Sequence, residues 1–470
     1  FIEDTAVPPD RLPEFVADFQ EVLEDNDTYA SFYAHAGPGC LHIRPLVNTK
    51  TEAGVEQMEA IADAATDLVV EYGGSVSGEH GDGRARTQWN RKLYGEDVWE
   101  LFQDIKAAFD PDWLLNPGQI VGTDHPEAPD RARTVDMTEN LRSGPGDEFD
   151  LGIEPTLEWE TDNGMQGMVE LCHGCGGCRG PQETTGGVMC PTYRAADEEI
   201  TATRGRANML RQAMSGDLPD DPTDDEFVSE VLDLCIGCKG CAKDCPSGVD
   251  MAKLKAEVTH AAHQEHGLSL RDRVFANVDT LFGFGSRIAP LANALAALPG
   301  ADYLLEKTVG IARERDTPRL HRRTFRDRFA ARDTTVSEAD ADRSVVLFAD
   351  AYTNYVHPEV GTAAVRVLEA AGVHVRLADA TDSGRPAFSK GMLDNARETA
   401  AANVAALAAH VDDGREVVCI EPSDAVMLQS DYLDLLGRDH GDASTVAANA
   451  YGLCEYLDRH DLDRDAAFDA

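Results

Sequence analysis

Cys172-His173-Gly174-Cys175-Gly176-Gly177-Cys178, followed by Cys190-Pro191, and Cys235-Ile236-Gly237-Cys238-Lys239-Gly240-Cys241-Ala242-Lys243-Asp244-Cys245-Pro246 are two copies of one ligand pattern. Each has three thiols at x2-x2 spacing and a fourth beside a proline. In paired iron–sulfur runs of this kind the clustered three hold one cubane and the proline-adjacent fourth ligates the other. On that exchange Cys172, Cys175, Cys178 and Cys245 bind one [4Fe-4S] cluster, and Cys235, Cys238, Cys241 and Cys190 bind a second. A structural zinc site also starts from C-x2-C, but zinc needs only two such pairs per ion, and this pattern leaves a ligand over. The implied chemistry is electron transfer. Cysteines grouped as metal ligands rather than scattered pairs point to a reducing compartment.

Working outward, the cluster module runs from 164 to 267, with helices expected at Arg204–Met214, Glu226–Asp233 and Met251–Gln264. Residues 268–340 read as an arginine-rich helical connector that contains the apolar stretch Leu281–Leu298. That stretch is either a helix packed between domains or a segment resting on a membrane surface, and the overall negative charge favours packing. From 341 to 470 the pattern alternates: strands at Ser344–Ala349, His374–Leu377 and Glu416–Ile420, helices at Pro358–Ala371 and Ser389–His410. Alternation of this kind predicts a parallel sheet covered on both faces. On the other side, 123–163 is acidic, dotted with Pro and Gly and aperiodic, as a linker would be. Residues 1–122 form a further unit, with strands at Tyr29–His35 and Cys40–Val47 joined by Gly37-Pro38-Gly39, and a short strand at Ser75–Ser77. Helices are expected there at Thr51–Tyr72, stopped by Gly73-Gly74, and at Asp97–Phe109. The fold class expected is multidomain α+β and α/β.

Forty-two basic residues, nine of them lysine, stand against 85 acidic ones, a net charge of −43. That charge opposes generic binding to nucleic acid or anionic membranes. The acids are spread along the whole chain, which suggests a surface adapted to high salt, where the Debye length falls to about 3 Å and self-repulsion is relieved. No run is long and apolar enough to span a bilayer. A chain that opens at Phe1 inside a folded unit reads as part of a longer protein.

Alternation along the second strand puts Cys40, His42 and Arg44 on one face and Leu41 and Ile43 on the other. His35 ends the neighbouring strand, and Glu79-His80 lies in the glycine-rich loop Gly78–Gly83. Two histidines and a carboxylate are a common divalent-metal set, although a lone strand histidine is more often structural.

The stretches His35–His42, Gly78–Arg84 and Phe109–Pro111 through Asn116-Pro117-Gly118 resemble the C-terminal substrate domain of FAD-linked oxidases of the D-lactate, D-2-hydroxyglutarate and glycolate dehydrogenase type. The resemblance implies that His35, His42 and Glu79 ligate a divalent metal (zinc, manganese or iron). It also implies that His80 is the active-site base beside FAD, with Asn116 at the flavin's rim. Between the histidines, Gly37-Pro38-Gly39-Cys40 replaces the Gly-Asp-Gly-Asn common in relatives. A 2-hydroxy acid chelated through its carboxylate and hydroxyl would be held for hydride transfer, His80 accepting the hydroxyl proton and Arg44 pairing the carboxylate. The cluster module resembles the two-cluster ferredoxin domain fused to such oxidases. The last unit, with Gly384-Arg385-Pro386 and Glu421-Pro422-Ser423, resembles the cysteine-rich domain that follows it. Where relatives carry its cluster cysteines this chain has Asp382-Ser383 and Asp424, so that domain is expected to bind no cluster and to serve as scaffold or docking surface. Cys419 and Cys454 are expected to be buried small hydrophobes.

The expectation is therefore a cytoplasmic or membrane-peripheral oxidoreductase, passing electrons from a 2-hydroxy acid through FAD and two [4Fe-4S] clusters to a quinone or soluble carrier, with the FAD-binding half preceding Phe1. The competing class is a non-catalytic iron–sulfur subunit that docks a separate flavoprotein. An oxygen-sensing transcription factor ranks last, for want of a basic recognition element.

Overall fold

The computed structural model describes residues 4–146, 150–182, 187–216, 218, 222–380 and 382–462, and the chain divides into two units, 1–148 and 149–470. In the first, β1 (Asp4–Ala6), β2 (Ala30–His35) and β3 (Cys40–Pro45) form an antiparallel sheet in the order β1-β3-β2. Its helices are α1 (Leu12–Asp25), α2 (Glu52–Glu71), α3 (Gly83–Tyr94) and α4 (Glu96–Phe109). The strand pairing sets up the site: His42 on the central strand faces Tyr33 on one side and Asp4 on the other, while His35 pairs with Cys40. The opposite face of β3 sends Leu41 and Ile43 into a core shared with Phe15, Phe19, Met58, Ile61 and Val69.

Helix α2 forms where its apolar period places it. Thr51 caps it, its hydroxyl accepting from the Gly54 N–H at 3.1 Å, and Gly73 ends it at φ +67°. The expected strand at Ser75–Ser77 contracts to one bridge, Ser75 with Ala6. The Ser77 N–H donates instead to the Ser75 hydroxyl, a local bend that spends the donor a longer ladder would use. Helices α1 and α3 and strand β1 were not among the sequence expectations. Within the stretch read as a linker, Met137 joins the core of the first unit, and Leu151, Ile153 and Leu157 pack within the second.

The second unit begins with the cysteine-bearing loops, packed around α5 (Thr203–Met214) and α6 (Met251–His266). Leu210, Met214, Leu232, Leu254 and Val258 make the apolar interior against which the loops are laid. Four short helices follow, α7 (Leu270–Ala276), α8 (Val278–Arg287), α9 (Ala289–Ala296) and α10 (Ala301–Val309). The unit closes with a parallel sheet of β4 (Arg343–Phe348), β5 (Val373–Leu377), β6 (Glu416–Cys419) and β7 (Ala450–Gly452), ordered β5-β4-β6-β7. Helix α11 (Pro358–Ala370) follows β4, and α12 (Leu393–Asp412) links β5 to β6. Val345 to Phe348 and Val417 to Cys419 are fully buried, as strands covered on both faces must be.

Charged side chains tie the cluster loops to the sheet within this unit. Lys239, at φ +57° between two cysteines, pairs with buried Asp431, which also receives Arg385 at 2.9 Å. Arg385 donates in addition to the Gly237 carbonyl at 2.6 Å, and Lys253 meets Asp434 at 2.9 Å. Removing one partner of such a buried pair leaves an uncompensated charge, at a cost of roughly 3–5 kcal/mol.

Candidate active site and cluster cavities

In the first unit, the imidazoles expected to act together converge on one carboxylate oxygen. Glu79 Oε1 lies 3.4 Å from His35 Nε2, 3.1 Å from His42 Nε2 and 3.7 Å from His80 Nε2. His42 is buried, whereas His35, Glu79 and His80 are each about half exposed, so the cluster opens to solvent on one side. The rings of His42 and His80 stack at 5.0 Å, and Tyr33 stacks on His42 at 5.7 Å. The loop can approach this closely because Gly78 has no side chain: a Cβ there would sit 2.6 Å from Cys40 Sγ.

Beneath the cluster lies Asp4, which sequence reasoning missed. Its side chain is fully buried and its carboxylate accepts the backbone N–H of His80 at 2.8 Å and of Glu79 at 3.0 Å. Burial pushes its pKa up, but those two N–H donors, the Cys40 thiol and the charge of His80 outweigh it, so Asp4 stays below the ordinary carboxylate value and is ionised at neutral pH. The carboxylate faces Nδ1 of both His42 (3.8 Å) and His80 (3.9 Å), leaving their Nε2 atoms turned toward Glu79. A buried anion behind the imidazoles fixes ring orientation as an outer carboxylate does in a histidine–metal site. Asp4, Cys40, His42 and Glu79 also lie within 4.8 Å of one another through single ligand atoms.

Glu79 Oε1 stands 3.4 Å from His35 Nε2 and 3.1 Å from His42 Nε2, close to the roughly 3.4 Å between ligand atoms bound at about 2.1 Å in tetrahedral array, so these two edges suit a divalent cation. The other two expected contributors are not drawn in. Arg44 is exposed, opposite Ser31 on the β2–β3 ladder, and no ion pair of it is present among the described residues. Asn116 is exposed at φ +43° in the loop after α4, whose backbone Asp110 holds by accepting from Leu114 and Leu115. No contact among the described residues links it to His80.

In the second unit the eight cysteines line two small cavities. Cys172, Cys175, Cys178 and Cys245 face one; Cys190, Cys235, Cys238 and Cys241 face the other. Each cavity takes three thiols from one run and the proline-adjacent thiol of the other. Burial pushes the Cys241 thiol up to about 12 and raises Cys178 as well. Iron bound there must therefore expel protons that the dry pocket holds. Cys190 is instead pulled down: burial works against it, but the Thr192 hydroxyl, the Tyr193 N–H and the Arg206 guanidinium prevail. The Arg206 side chain is itself buried, 4.0 Å from Cys190 Sγ, and donates to the Val231 carbonyl at 2.8 Å. Lys255 donates to the Cys235 carbonyl at 2.8 Å. These cations around the second cavity had no spacing signal in the sequence.

At the positions expected to lack cluster cysteines, Ser383 donates to Asp424 at 2.5 Å, and Asp424 is only 4% exposed. Cys419 is buried on β6, but Cys454 is exposed, contrary to the buried role expected of it, because it lies at the start of a terminal helix whose inward position is taken by Tyr456. Burial, reinforced by Asp350, Glu421 and Asp382, raises Asp424 from 3.8 to about 7. The folded state thus holds a proton that the unfolded chain releases, so stability falls as pH rises from about 4 to about 7 and the full penalty stands above that. Asp424→Asn should raise the melting temperature at pH 8 and leave it nearly unchanged at pH 4, the gain being on the order of a few kcal/mol. Equal shifts at both pH values, read by thermal denaturation, would remove the carboxyl from this account.

Comparison with known proteins matches both halves of this description. Residues 1–120 match the family described as FAD linked oxidases, C-terminal domain, and residues 168–249 match the 4Fe-4S dicluster domain. The chain thus joins an FAD-linked-oxidase C-terminal domain to a dicluster domain. It is similar to D-2-hydroxyglutarate dehydrogenase of Pseudomonas putida, 26% identical across 93% of this chain and 46% of that protein. It is also similar to glycolate oxidase subunit GlcD of Escherichia coli, 34% identical over 26% of this chain and 24% of the relative. The D-lactate dehydrogenase of Archaeoglobus fulgidus is 35% identical over 25% of this chain and 26% of its own length. The chain spans about half the length of the D-2-hydroxyglutarate dehydrogenases it matches.

Proposed function

We propose that this chain is the substrate-domain and iron–sulfur portion of an FAD-dependent 2-hydroxy-acid dehydrogenase, with D-2-hydroxyglutarate, D-lactate and glycolate as the candidate substrates. The observation that carries the reading is the convergence of His35, His42 and His80 on Glu79 in a chain that also presents two four-thiol cavities. His35 Nε2, His42 Nε2 and Glu79 Oε1 hold a divalent cation, Cys172, Cys175, Cys178 and Cys245 hold one [4Fe-4S] cluster, and Cys190, Cys235, Cys238 and Cys241 hold the other. When bound, the cation would supply acidification of the substrate hydroxyl, FAD would supply a hydride acceptor, and the clusters would supply one-electron acceptors.

The chain's own residues supply position and a proton acceptor. His80 Nε2, turned outward by Asp4 behind it, receives the hydroxyl proton. His42, locked between Tyr33 and His80, sets the depth of the site. The resemblance assigns Arg44 to the substrate carboxylate and Asn116 to the flavin rim; both are exposed and stand outside the histidine–glutamate cluster. The electron acceptor is a quinone or soluble carrier, the setting is cytoplasmic or membrane-peripheral, and the acidic surface suits high salt. Glu79→Gln in the full-length protein should lose the divalent metal by elemental analysis while retaining all cluster iron. Stopped-flow bleaching of the flavin by a panel of D-2-hydroxy acids tests the activity, and a flavin that none of them reduces would defeat the proposal.

A further inference from the structure

Helices α8 and α9 are built inside out. Leu281, Phe284, Ile288, Leu291, Leu295 and Leu298 recur at spacings of three and four, the period of one helical face, and every one is exposed; Phe284 reaches 66% and Leu291 58%. Apart from Phe282, whose ring meets Tyr352 edge-on at 5.4 Å, small and polar residues of the same helices make the inward contacts. Gly285 is buried where a Cβ would meet the Leu320 side chain at 2.5 Å, Ser286 donates to the His321 carbonyl at 2.5 Å, and Asn293 exchanges two hydrogen bonds with the Leu320 backbone. Tyr303 and Leu304 on α10 are exposed too. An ordinary surface helix turns its leucines to the core, so this stripe is shaped for an occupant outside the chain.

The charge of the segment that carries the stripe identifies the occupant's chemistry. In a chain of net charge −43, residues 268–323 carry nine arginine and lysine residues, all exposed, among them Arg271, Arg273, Arg287 and Lys307, against six acids, three of them exposed and one, Glu306, paired with Arg313. Two copies joined through this stripe would press like charges together, whereas an anionic surface would be drawn to it. No helix among the described residues is long and apolar enough to cross a membrane. Leucine and phenylalanine on one side with arginine and lysine around them is the composition of a helix lying in the plane of a lipid interface. We propose that the Leu281–Leu298 stripe and its basic border are a docking surface for an anionic lipid bilayer. This reverses the sequence-based preference for a helix packed between domains, since the net charge that favoured packing is not the charge of this segment.

The test is flotation of the full-length protein with vesicles of phosphatidylcholine alone or mixed with phosphatidylglycerol, at low and high salt. The protein should float with the mixed vesicles and not with the neutral ones. Phe284→Asp with Leu291→Asp should lower the bound fraction at least tenfold with cluster absorbance unchanged, and Arg271→Glu with Arg273→Glu should weaken binding chiefly at low salt. Absence of flotation with anionic vesicles overturns the proposal. So does equal binding by the aspartate variant, and so does its conversion from dimer to monomer without lipid, which would make a second copy the occupant.

Discussion

Full-length enzyme carrying His80→Ala should fail to bleach its flavin with hydroxy acid, the rate of reduction falling roughly a thousandfold, while the spectra of both clusters stay as they are. The magnitude is that of a positioned general base. The selectivity follows from placement. His80 belongs to the first unit, where its Nδ1 faces Asp4 at 3.9 Å and its Nε2 faces Glu79 at 3.7 Å, and every cluster cysteine belongs to the second. Nitrogens at 3.4 and 3.1 Å from Glu79 Oε1 remain on His35 and His42 in the variant, so the divalent metal should be retained. Substrate binding should therefore change by a few-fold at most, the loss lying in the step and not in affinity. Normal flavin reduction by His80→Ala, measured by stopped flow, would take this residue out of the mechanism.

Much of this arrangement was legible because spacing alone constrains it. A thiol triplet cannot be read at any other period, and Gly37-Pro38-Gly39 between two alternating runs allows little but a hairpin, which fixes His35 beside Cys40 and His42 two pairs further in. The repeat of α2 and the strand–helix alternation after Ser344 were legible for the same reason. What was missed depends on long-range contact. Asp4 stands in a three-residue edge strand with no period to detect, and its role appears only when the chain returns more than seventy residues later to place the N–H groups of Glu79 and His80 over its carboxylate. Helix α1 did carry a signal, Phe15, Phe19 and Leu23 at intervals of four after a proline in the first turn. Helix α3 carried almost none, because its buried positions are Arg86, Thr87, Trp89 and Asn90. In α8 and α9 the period was plain and the side it faces was not, since a hydrophobic stripe names a face without naming what covers it.

The second large effect is expected from Cys241→Ser, which should destroy one cluster and leave the flavin chemistry untouched. Of the three thiols in the run from 235 to 241, Cys241 is the buried one; Cys238 is exposed and Cys235 intermediate. Burial raises its thiol to about 12, so the pocket tolerates an anion there only when iron compensates it. A serine hydroxyl is a weaker acid still, and the dry wall offers no water to replace the missing sulfur. Iron should fall from about eight to about four atoms per chain, with one reduced-cluster signal lost from the EPR spectrum. Reduction of the flavin by substrate should proceed at its normal rate, while turnover with a distal acceptor should drop roughly a hundredfold, because a one-electron relay fails wherever a carrier is removed. The surrounding structure should survive: Lys239, Arg385 and Asp431 still hold the loop to the sheet, and α6 remains packed on Leu210 and Leu232. Cys454→Ser supplies the control, an exposed thiol on the terminal helix whose loss should alter neither iron content nor turnover. Unimpaired turnover with the distal acceptor in Cys241→Ser would mean that electrons leave the flavin by another route and that the thiol-lined cavities lie off the path.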